Sequence, residues 1–221
     1  MTTEQEAAVL SRLRGLPTAA ISDALDREGI PGALAGITPL SNDFRVAGPA
    51  FTVRYAPMDT TSGTVGDFLD DVPPGSVIVI DNDGRSDVTV WGGIMTEVAS
   101  VRRVAGTVIN GVCRDVATSL AHRYPLFSRG RFMRTGKDRV RLVSVGEQLA
   151  VSGVDIHPGT IVCADADGAV AVPYTVAERI AEVAERIEQV ENQIVAAVRA
   201  GSGLREAREM FGYHRLQRRR S

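Results

Sequence analysis

The sequence predicts an α/β fold: one domain over residues 1–221, with a mixed sheet, flanking helices and a C-terminal helix. Three observations carry this prediction. An apolar run at 76–81, a helical pattern at 94–105 and a β-branched run at 107–109 form a strand–helix–strand unit. An amphipathic pattern covers 176–200. The chain has 221 residues, 44% of them hydrophobic, which is enough for one sizeable core.

Local patterns predict the remaining elements. Residues 1–30 are predicted helical, with a break at Pro17 and with Thr18 capping a second helix. Strands are predicted within 44–55, 124–128, 139–149 and 161–172, and shorter helices within 65–69, 116–122 and 204–211. The two carboxylates of Asp165 and Asp167 suggest either a cation site or a hairpin turn. The turn is favoured because Gly168 accepts positive φ and the flanks are apolar.

Composition narrows the class of protein. The formal net charge of −2 provides no basic field for nucleic acid, and the arginine-rich tail at 215–220 is interpreted as a solvated terminus. No apolar run is long enough to span a membrane, and no signal-peptide pattern is present. We therefore expect a cytoplasmic protein with no membrane or nucleic-acid partner.

The candidate site lies where the two central strands end. Gly92 and Gly93 precede the helical pattern, and Arg114 and Asp115 follow the second strand. Ligands of open α/β sheets bind at this edge, and the first amides of a helix attract anions. An arginine can fork onto a carboxylate, and an aspartate is a hard ligand for Mg²⁺ or Mn²⁺. A plain turn with a surface ion pair is the open alternative.

Other polar residues receive structural interpretations. Asp81, at the end of the first strand, is read as capping a turn, although it could face the site. Cys113 is read as a small buried residue, and the two cysteines show no metal-ligand spacing. Gly136-Lys137 does not fit a phosphate loop, because Asp138 stands where Ser or Thr is required.

The central stretch also carries a family resemblance. Its matching residues are Gly92, Ile94, Met95, Ala99, Gly106, Val108, Gly111, Arg114 and Asp115. Further matches lie at 21–25, 47–53, 158–160 and 165–173. In order and spacing these segments resemble the RraA-like family over nearly the whole chain. That family contains 4-hydroxy-4-methyl-2-oxoglutarate aldolase, which also decarboxylates oxaloacetate, and the regulator of ribonuclease activity A.

The resemblance implies a layered ββα sandwich, like the swivelling phosphohistidine-type domain, assembled as a homotrimer or a hexamer. It implies a class II, metal-dependent lyase that cleaves a small 2-oxo acid through a pyruvate enolate. Asp115 would hold Mg²⁺ or Mn²⁺, and Arg114 would stabilise the enolate. Gly92, Gly93 and the backbone amides of Ile94 and Met95 would bind the substrate.

One position departs from the family pattern. The aldolases carry an acidic residue where this chain has Gly93, and Glu97 is a candidate substitute. In the family an acidic residue from the neighbouring subunit's C-terminal helix also approaches the metal through water, which here would be Glu188 or Glu191. The alternative function is a non-enzymatic protein-binding regulator of ribonuclease activity. It is disfavoured because that regulator lacks the aspartate corresponding to Asp115. A menaquinone methyltransferase is discounted because no nucleotide loop of the expected form is present.

Overall fold

The computed structural model describes residues 3–59 and 65–216, so the segment 60–64 and the arginine tail beyond 216 lie outside the described residues. The helices are α1 (Thr3–Gly15), α2 (Thr18–Glu28), α3 (Gly93–Val101), α4 (Val116–Ala121), α5 (Ala177–Arg199) and α6 (Leu204–Met210). The strands are β1 (Thr38–Pro39), β2 (Val46–Pro57), β3 (Val77–Asp81), β4 (Gly106–Cys113), β5 (Leu126–Arg131), β6 (Val140–Val145), β7 (Leu149–Val151), β8 (Val154–Ile156), β9 (Ile161–Asp165) and β10 (Gly168–Val172). Short 3₁₀ turns occupy Asp67–Asp71, Tyr174–Val176 and Tyr213–Arg215.

Four parallel strands form the centre of the main sheet, in the order β5, β4, β3, β2. Every residue of β3 and β4 is buried, as expected of parallel strands covered on both faces. The long strand β2 pairs with β9 through its first half and with β6 through its second half, both antiparallel. The sheet is therefore mixed, as predicted, and the carboxyl ends of its parallel strands meet at one edge.

A single segment, 32–40, brings the two ends of this sheet together. Its first part bonds to the edge strand β10, where Leu34 N–H donates to the carbonyl of Ala169 at 2.9 Å. Its last part forms β1, which pairs with β5 at the opposite end of the sheet. The sheet is nearly closed by this crossing, which leaves few unpaired backbone groups at its ends.

Helices α1, α2 and α5 form a layer on the β9–β10 side of the sheet. They share a second apolar core with those strands, in which Leu13, Ile21, Leu25, Ile180 and Ile187 are almost completely buried. The amphipathic pattern at 176–200 correctly predicted α5. In α1, Val9 is buried whereas Ala7 is exposed. None of the helices in the described residues is long and apolar enough to cross a membrane.

The prediction for the helix before β4 was too long. Helix α3 ends at Val101, and Arg103 turns the chain with φ +58°, so the helix stops well before Gly106. Two apolar residues of the predicted helical pattern, Ile94 and Val101, are 83% and 75% exposed in the monomer. The periodicity of apolar residues identified the helix, but the described part of the chain does not cover the face that carries Ile94 and Val101.

The predicted role of Thr18 as a helix cap was also wrong. Thr18 is the first residue of α2, and its hydroxyl donates to Oδ1 of Asp165 at 2.5 Å. The other oxygen of Asp165 accepts the Thr18 backbone N–H at 2.9 Å, so the cap of α2 comes from the β9–β10 turn. The same carboxylate accepts the Asp167 N–H, which confirms the predicted hairpin turn.

We expect Asp165→Ala to lower the free energy of unfolding by about 2–3 kcal/mol, because it leaves the two buried donors of Thr18 and the partly buried N–H of Asp167 without an acceptor. Urea denaturation followed by circular dichroism measures the change. The matched control is Asp167→Ala, which removes an exposed carboxylate from the same turn and should change stability by no more than about 0.5 kcal/mol. Equal effects of the two substitutions would contradict the assignment.

Candidate functional site

A cavity of about 390 Å³ opens at the carboxyl edge of the parallel strands, between the start of α3 and the end of β4. All six residues singled out from the sequence lie around it: Gly92, Gly93, Ile94, Met95, Arg114 and Asp115. Its other lining residues are Val65, Asp67, Thr89, Trp91, Thr135, Gly136 and Lys137. The strand–helix–strand unit therefore assembles one pocket from segments on both sides of α3.

Asp115 joins the two sides of this cavity. It follows β4 in the left-handed conformation, φ +55° and ψ +42°, at the N-terminus of α4. Its Oδ2 accepts the backbone N–H of Gly93, the first residue of α3, at 2.8 Å. Its Oδ1 accepts no hydrogen bond from the described residues. One carboxylate oxygen thus holds the helix and the other remains available to a ligand.

Arg114 lies beside this carboxylate, with its Nε 3.6 Å from Asp115 Oδ2. The two side chains are 39% and 46% exposed, so each is open to the cavity as well as to its partner. The terminal nitrogens of Arg114 donate no hydrogen bond within the described part of the chain. The guanidinium therefore keeps its fork free for an anion.

Gly92 is required for space rather than for backbone conformation. Its backbone is extended, with φ −153° and ψ −172°, which any residue can adopt. A Cβ on it would lie 2.9 Å from Asp115 Oδ2 and 3.1 Å from Arg114 Nε. Gly93 is helical, and a Cβ there would make contacts of 3.4 Å with Asp115 and with Thr118 Oγ1. A side chain at position 92 would therefore displace Asp115 or Arg114, whereas position 93 tolerates one.

The first turn of α3 presents its backbone to the cavity. Helix geometry leaves the N–H groups of Ile94 and Met95 without an intrahelical acceptor. The Ile94 side chain is exposed, whereas the Met95 side chain is buried against Gly66. A Cβ added to Gly66 would lie 3.2 Å from Met95 Cγ. These two residues therefore offer amides, and not polar side chains, to an anion.

The structure adds Lys137, which the sequence analysis set aside with the failed phosphate-loop pattern. Gly136 comes so close to the chain that its Cβ would lie 2.5 Å from the carbonyl of Thr89, and Thr135 forms a β-bridge with Thr89. This crossing brings the next residue, Lys137, to the cavity wall. The chain contains no other lysine, and this was the feature of the sequence that could have identified Lys137 as a candidate.

Three other candidates do not join the site. Glu97 does not line the cavity, and its Oε2 lies 2.7 Å from His122 Nε2. Asp81 accepts the Asp83 N–H at 3.0 Å, which confirms the predicted turn. Cys113 is fully buried, and burial raises the pKa of its thiol, so it is an inert packing residue as predicted.

Glu188 and Glu191 lie on α5, in the helical layer that packs on α1 and α2. Neither lines the cavity. Burial, together with the nearby charges of Asp23 and Glu188, raises the pKa of Glu191. Glu188 Oε1 accepts a hydrogen bond from Asn192 at 3.3 Å.

Comparisons with known proteins identify the family of this chain. The family model described as RraA-like (Aldolase/RraA) matches residues 18–171. Protein DlpA of Legionella pneumophila is 38% identical over 208 residues, 93% of this chain, but the chain spans only 34% of DlpA's length. A putative 4-hydroxy-4-methyl-2-oxoglutarate aldolase of Halalkalibacterium halodurans is 32% identical over 184 residues, 83% of this chain and 85% of that protein.

Among solved structures, an uncharacterized protein from Pseudomonas syringae pv. tomato superposes with a TM-score of 0.88. It is 44% identical, and the alignment covers 92% of this chain and 94% of that one. The family model covers well over half of the residues, and the two relatives are at least 30% identical over more than two thirds of the chain. The chain belongs to the RraA-like family.

Proposed function

We propose that the protein is a divalent-metal-dependent lyase that cleaves a C–C bond of a small 2-oxo acid through a pyruvate enolate. The observation that carries the proposal is the meeting of Asp115, Arg114 and the first turn of α3 in one cavity. A carboxylate, a forked cation and free helix amides together suit a 2-oxo acid bound with a metal ion. Substrates of this class include 4-hydroxy-4-methyl-2-oxoglutarate and oxaloacetate.

The residues present fit Mg²⁺ or Mn²⁺. Asp115 offers one hard oxygen, Oδ1, that accepts no hydrogen bond from the described residues, and the absence of a side chain at Gly92 keeps its other oxygen, Oδ2, uncrowded. No group of three or more His, Cys, Asp or Glu side chains suited to a metal occurs among the described residues, which argues against a closed zinc-type site there. Mg²⁺ commonly keeps several waters and takes one or two carboxylates. When bound, the ion would act as a Lewis acid on the substrate's oxygens.

The protein groups have separate tasks in this proposal. The amides of Ile94 and Met95 orient the substrate's carboxylate against the positive end of the α3 dipole. The free fork of Arg114 donates to the oxygen on which negative charge grows as the C–C bond breaks. Both retro-aldol cleavage and oxaloacetate decarboxylation develop charge at this oxygen, so one site serves both reactions.

Lys137 extends the proposal to the far end of the substrate. It makes no ion pair in the described part of the chain, and it lines the same cavity as Arg114 and Asp115. Oxaloacetate and 4-hydroxy-4-methyl-2-oxoglutarate each carry a second carboxylate that needs a cation. We assign that contact to the Lys137 ammonium, which is a compact point charge on a flexible stem.

Gly93 separates the two candidate reactions. Retro-aldol cleavage requires removal of the proton from the C4 hydroxyl, and the family's acidic residue at this position helps to arrange the water that does so. Decarboxylation has no such proton to remove. The protein is therefore proposed to favour decarboxylation over aldol cleavage. The regulator function remains the alternative, and Asp115, which the regulator lacks, argues against it.

We also propose that the protein is a homo-oligomer, a trimer or a hexamer. The exposed apolar side chains of Ile94 and Val101, on the helix that borders the cavity, support a subunit contact at this face. Such a contact would let Glu188 or Glu191 of a partner subunit approach the site. A monomer in sedimentation velocity at micromolar concentration would contradict it.

We expect Asp115→Asn to abolish Mn²⁺ binding and to lower turnover by at least about 10²-fold, because the charge is lost while the amide oxygen can still accept the Gly93 N–H. Electron paramagnetic resonance of free Mn²⁺ and pyruvate release measure the two effects. Glu97→Gln is the control, since this α3 carboxylate pairs with His122 outside the cavity. Full turnover after verified metal removal would overturn the metal-dependent mechanism.

We expect Lys137→Gln to lower kcat/KM for oxaloacetate by about 10- to 100-fold, the value of one charge-assisted hydrogen bond. Lys137→Arg keeps the charge and should retain most of the activity. For a 4-hydroxy-2-oxo acid without a second carboxylate, Lys137→Gln should change kcat/KM by less than about twofold. Equal losses on both substrates would show that Lys137 does not read the distal carboxylate.

We expect Gly93→Asp to raise the ratio of aldolase to decarboxylase activity. The helical backbone at this position accepts the substitution, and the added carboxylate would stand next to Asp115. Gly93→Asn is the matched control, because it adds the same volume without the charge. An unchanged ratio in Gly93→Asp with Mn²⁺ bound would mean that substrate choice depends on other residues of the pocket.

A further inference from the structure

We infer that Thr96 and Ser119 are positioning residues that hold the two halves of the site in register. Thr96 lies on α3 and Ser119 on α4, and both are completely buried beneath the cavity. Neither lines the cavity, so neither can touch a substrate. What they position rests on the proposed function, whereas the coupling between the helices can be tested without it.

The Thr96 hydroxyl has two partners from different parts of the fold. Its Oγ1 accepts the indole Nε1–H of Trp91 at 3.0 Å, because an indole N–H can only donate. It also lies 2.9 Å from Ser119 Oγ, in a hydrogen bond in which either hydroxyl can donate. One hydroxyl therefore connects the loop before α3 with the helix that follows Asp115.

These contacts close a ring of hydrogen bonds under the site. The backbone N–H of Arg114 donates to the Trp91 carbonyl at 3.0 Å, and the Trp91 indole continues to Thr96. From Thr96 the ring passes to Ser119, whose backbone N–H donates to the Asp115 carbonyl at 3.3 Å. The ring starts and ends on the two adjacent residues that carry the proposed chemistry.

Short helices need such a connection. Helices α3 and α4 have nine and six residues, lengths at which an isolated helix is not stable in water. Apolar burial of Met95 and Ala99 fixes which face of α3 points inward, but it is not directional. The hydroxyl pair is directional, and breaking it would leave buried polar groups unpaired, so it selects one rotation of α3 relative to α4.

Trp91 is anchored on its other side. Its ring stacks on Tyr124 at 5.8 Å with an interplanar angle of 9°. The Tyr124 hydroxyl is hydrogen-bonded to Thr107 Oγ1 at 2.8 Å, and burial raises the pKa of Tyr124, so the phenol stays protonated. The ring of hydrogen bonds is thereby connected to β4, which carries Thr107. Because the chain has one tryptophan, its fluorescence reports on the surroundings of Trp91 alone.

The experiment compares four variants by hydrogen exchange of segments 92–99 and 112–120, with no metal or substrate present. Thr96→Val and Ser119→Ala should each speed exchange in both segments by about tenfold. Thr96→Ser keeps the hydroxyl and should restore slow exchange. Ser100→Ala is the matched control, since among the described residues its hydroxyl bonds only to the Thr96 carbonyl on the same helix. The emission of Trp91 should change in Thr96→Val and not in Ser100→Ala.

The catalytic readout uses the same variants. Thr96→Val should lower kcat by at least about tenfold and change KM by less than about threefold, because small misplacements of reacting groups reduce turnover steeply. Thr96→Ser should recover turnover. The double substitution should cost no more than the larger single one, since both break the same link.

Two results would overturn the inference. One is unchanged exchange of 112–120 in a folded Thr96→Val protein, or in Ser119→Ala if Thr96→Val does not fold. The other is an equal effect of Ser100→Ala. A parent protein without lyase activity would refute the proposed function, while the exchange data would still decide whether the ring couples the two helices.

Discussion

The hydrogen bond between Asp115 Oδ2 and the Gly93 N–H is the constraint on which the site depends. It joins the residue that leaves β4 to the first residue of α3, and Asp115 makes it from the left-handed conformation, φ +55°. Aspartate accepts that conformation more readily than most residues, since its short side chain bonds locally. The same contact explains why residue 92 is a glycine, because a Cβ at this position would crowd the Asp115 carboxylate.

The electrostatic design of the cavity follows from this arrangement. A carboxylate at a helix N-terminus is stabilised by the helix dipole, and here one of its oxygens is used in that way while the other is open. Arg114 and Lys137 supply two cations at different places on the wall. These two cations are the basis for the proposal that the ligand carries two negative groups and that a divalent cation balances Asp115.

Much of the architecture followed from local patterns. The buried strand at 76–81, the long helix α5 and the hairpin at Asp165–Gly168 were predicted from burial, periodicity and turn residues, respectively. Arg114 and Asp115 were found because residues that follow parallel strands gather at one edge. The prediction that Thr18 caps α2 was wrong because its partner, Asp165, lies 147 residues away, and local sequence cannot reveal such a contact.

The sequence by itself determined the strand–helix–strand unit, the residue types at its ends and the family to which they correspond. Only the tertiary structure decided which distant segments complete the site. Lys137 reaches the cavity because Gly136 lets the chain press against Thr89, and Glu97 leaves it because His122 holds that carboxylate. Periodicity specifies the direction of a side chain around its helix, but what covers that direction depends on packing between elements far apart in the chain.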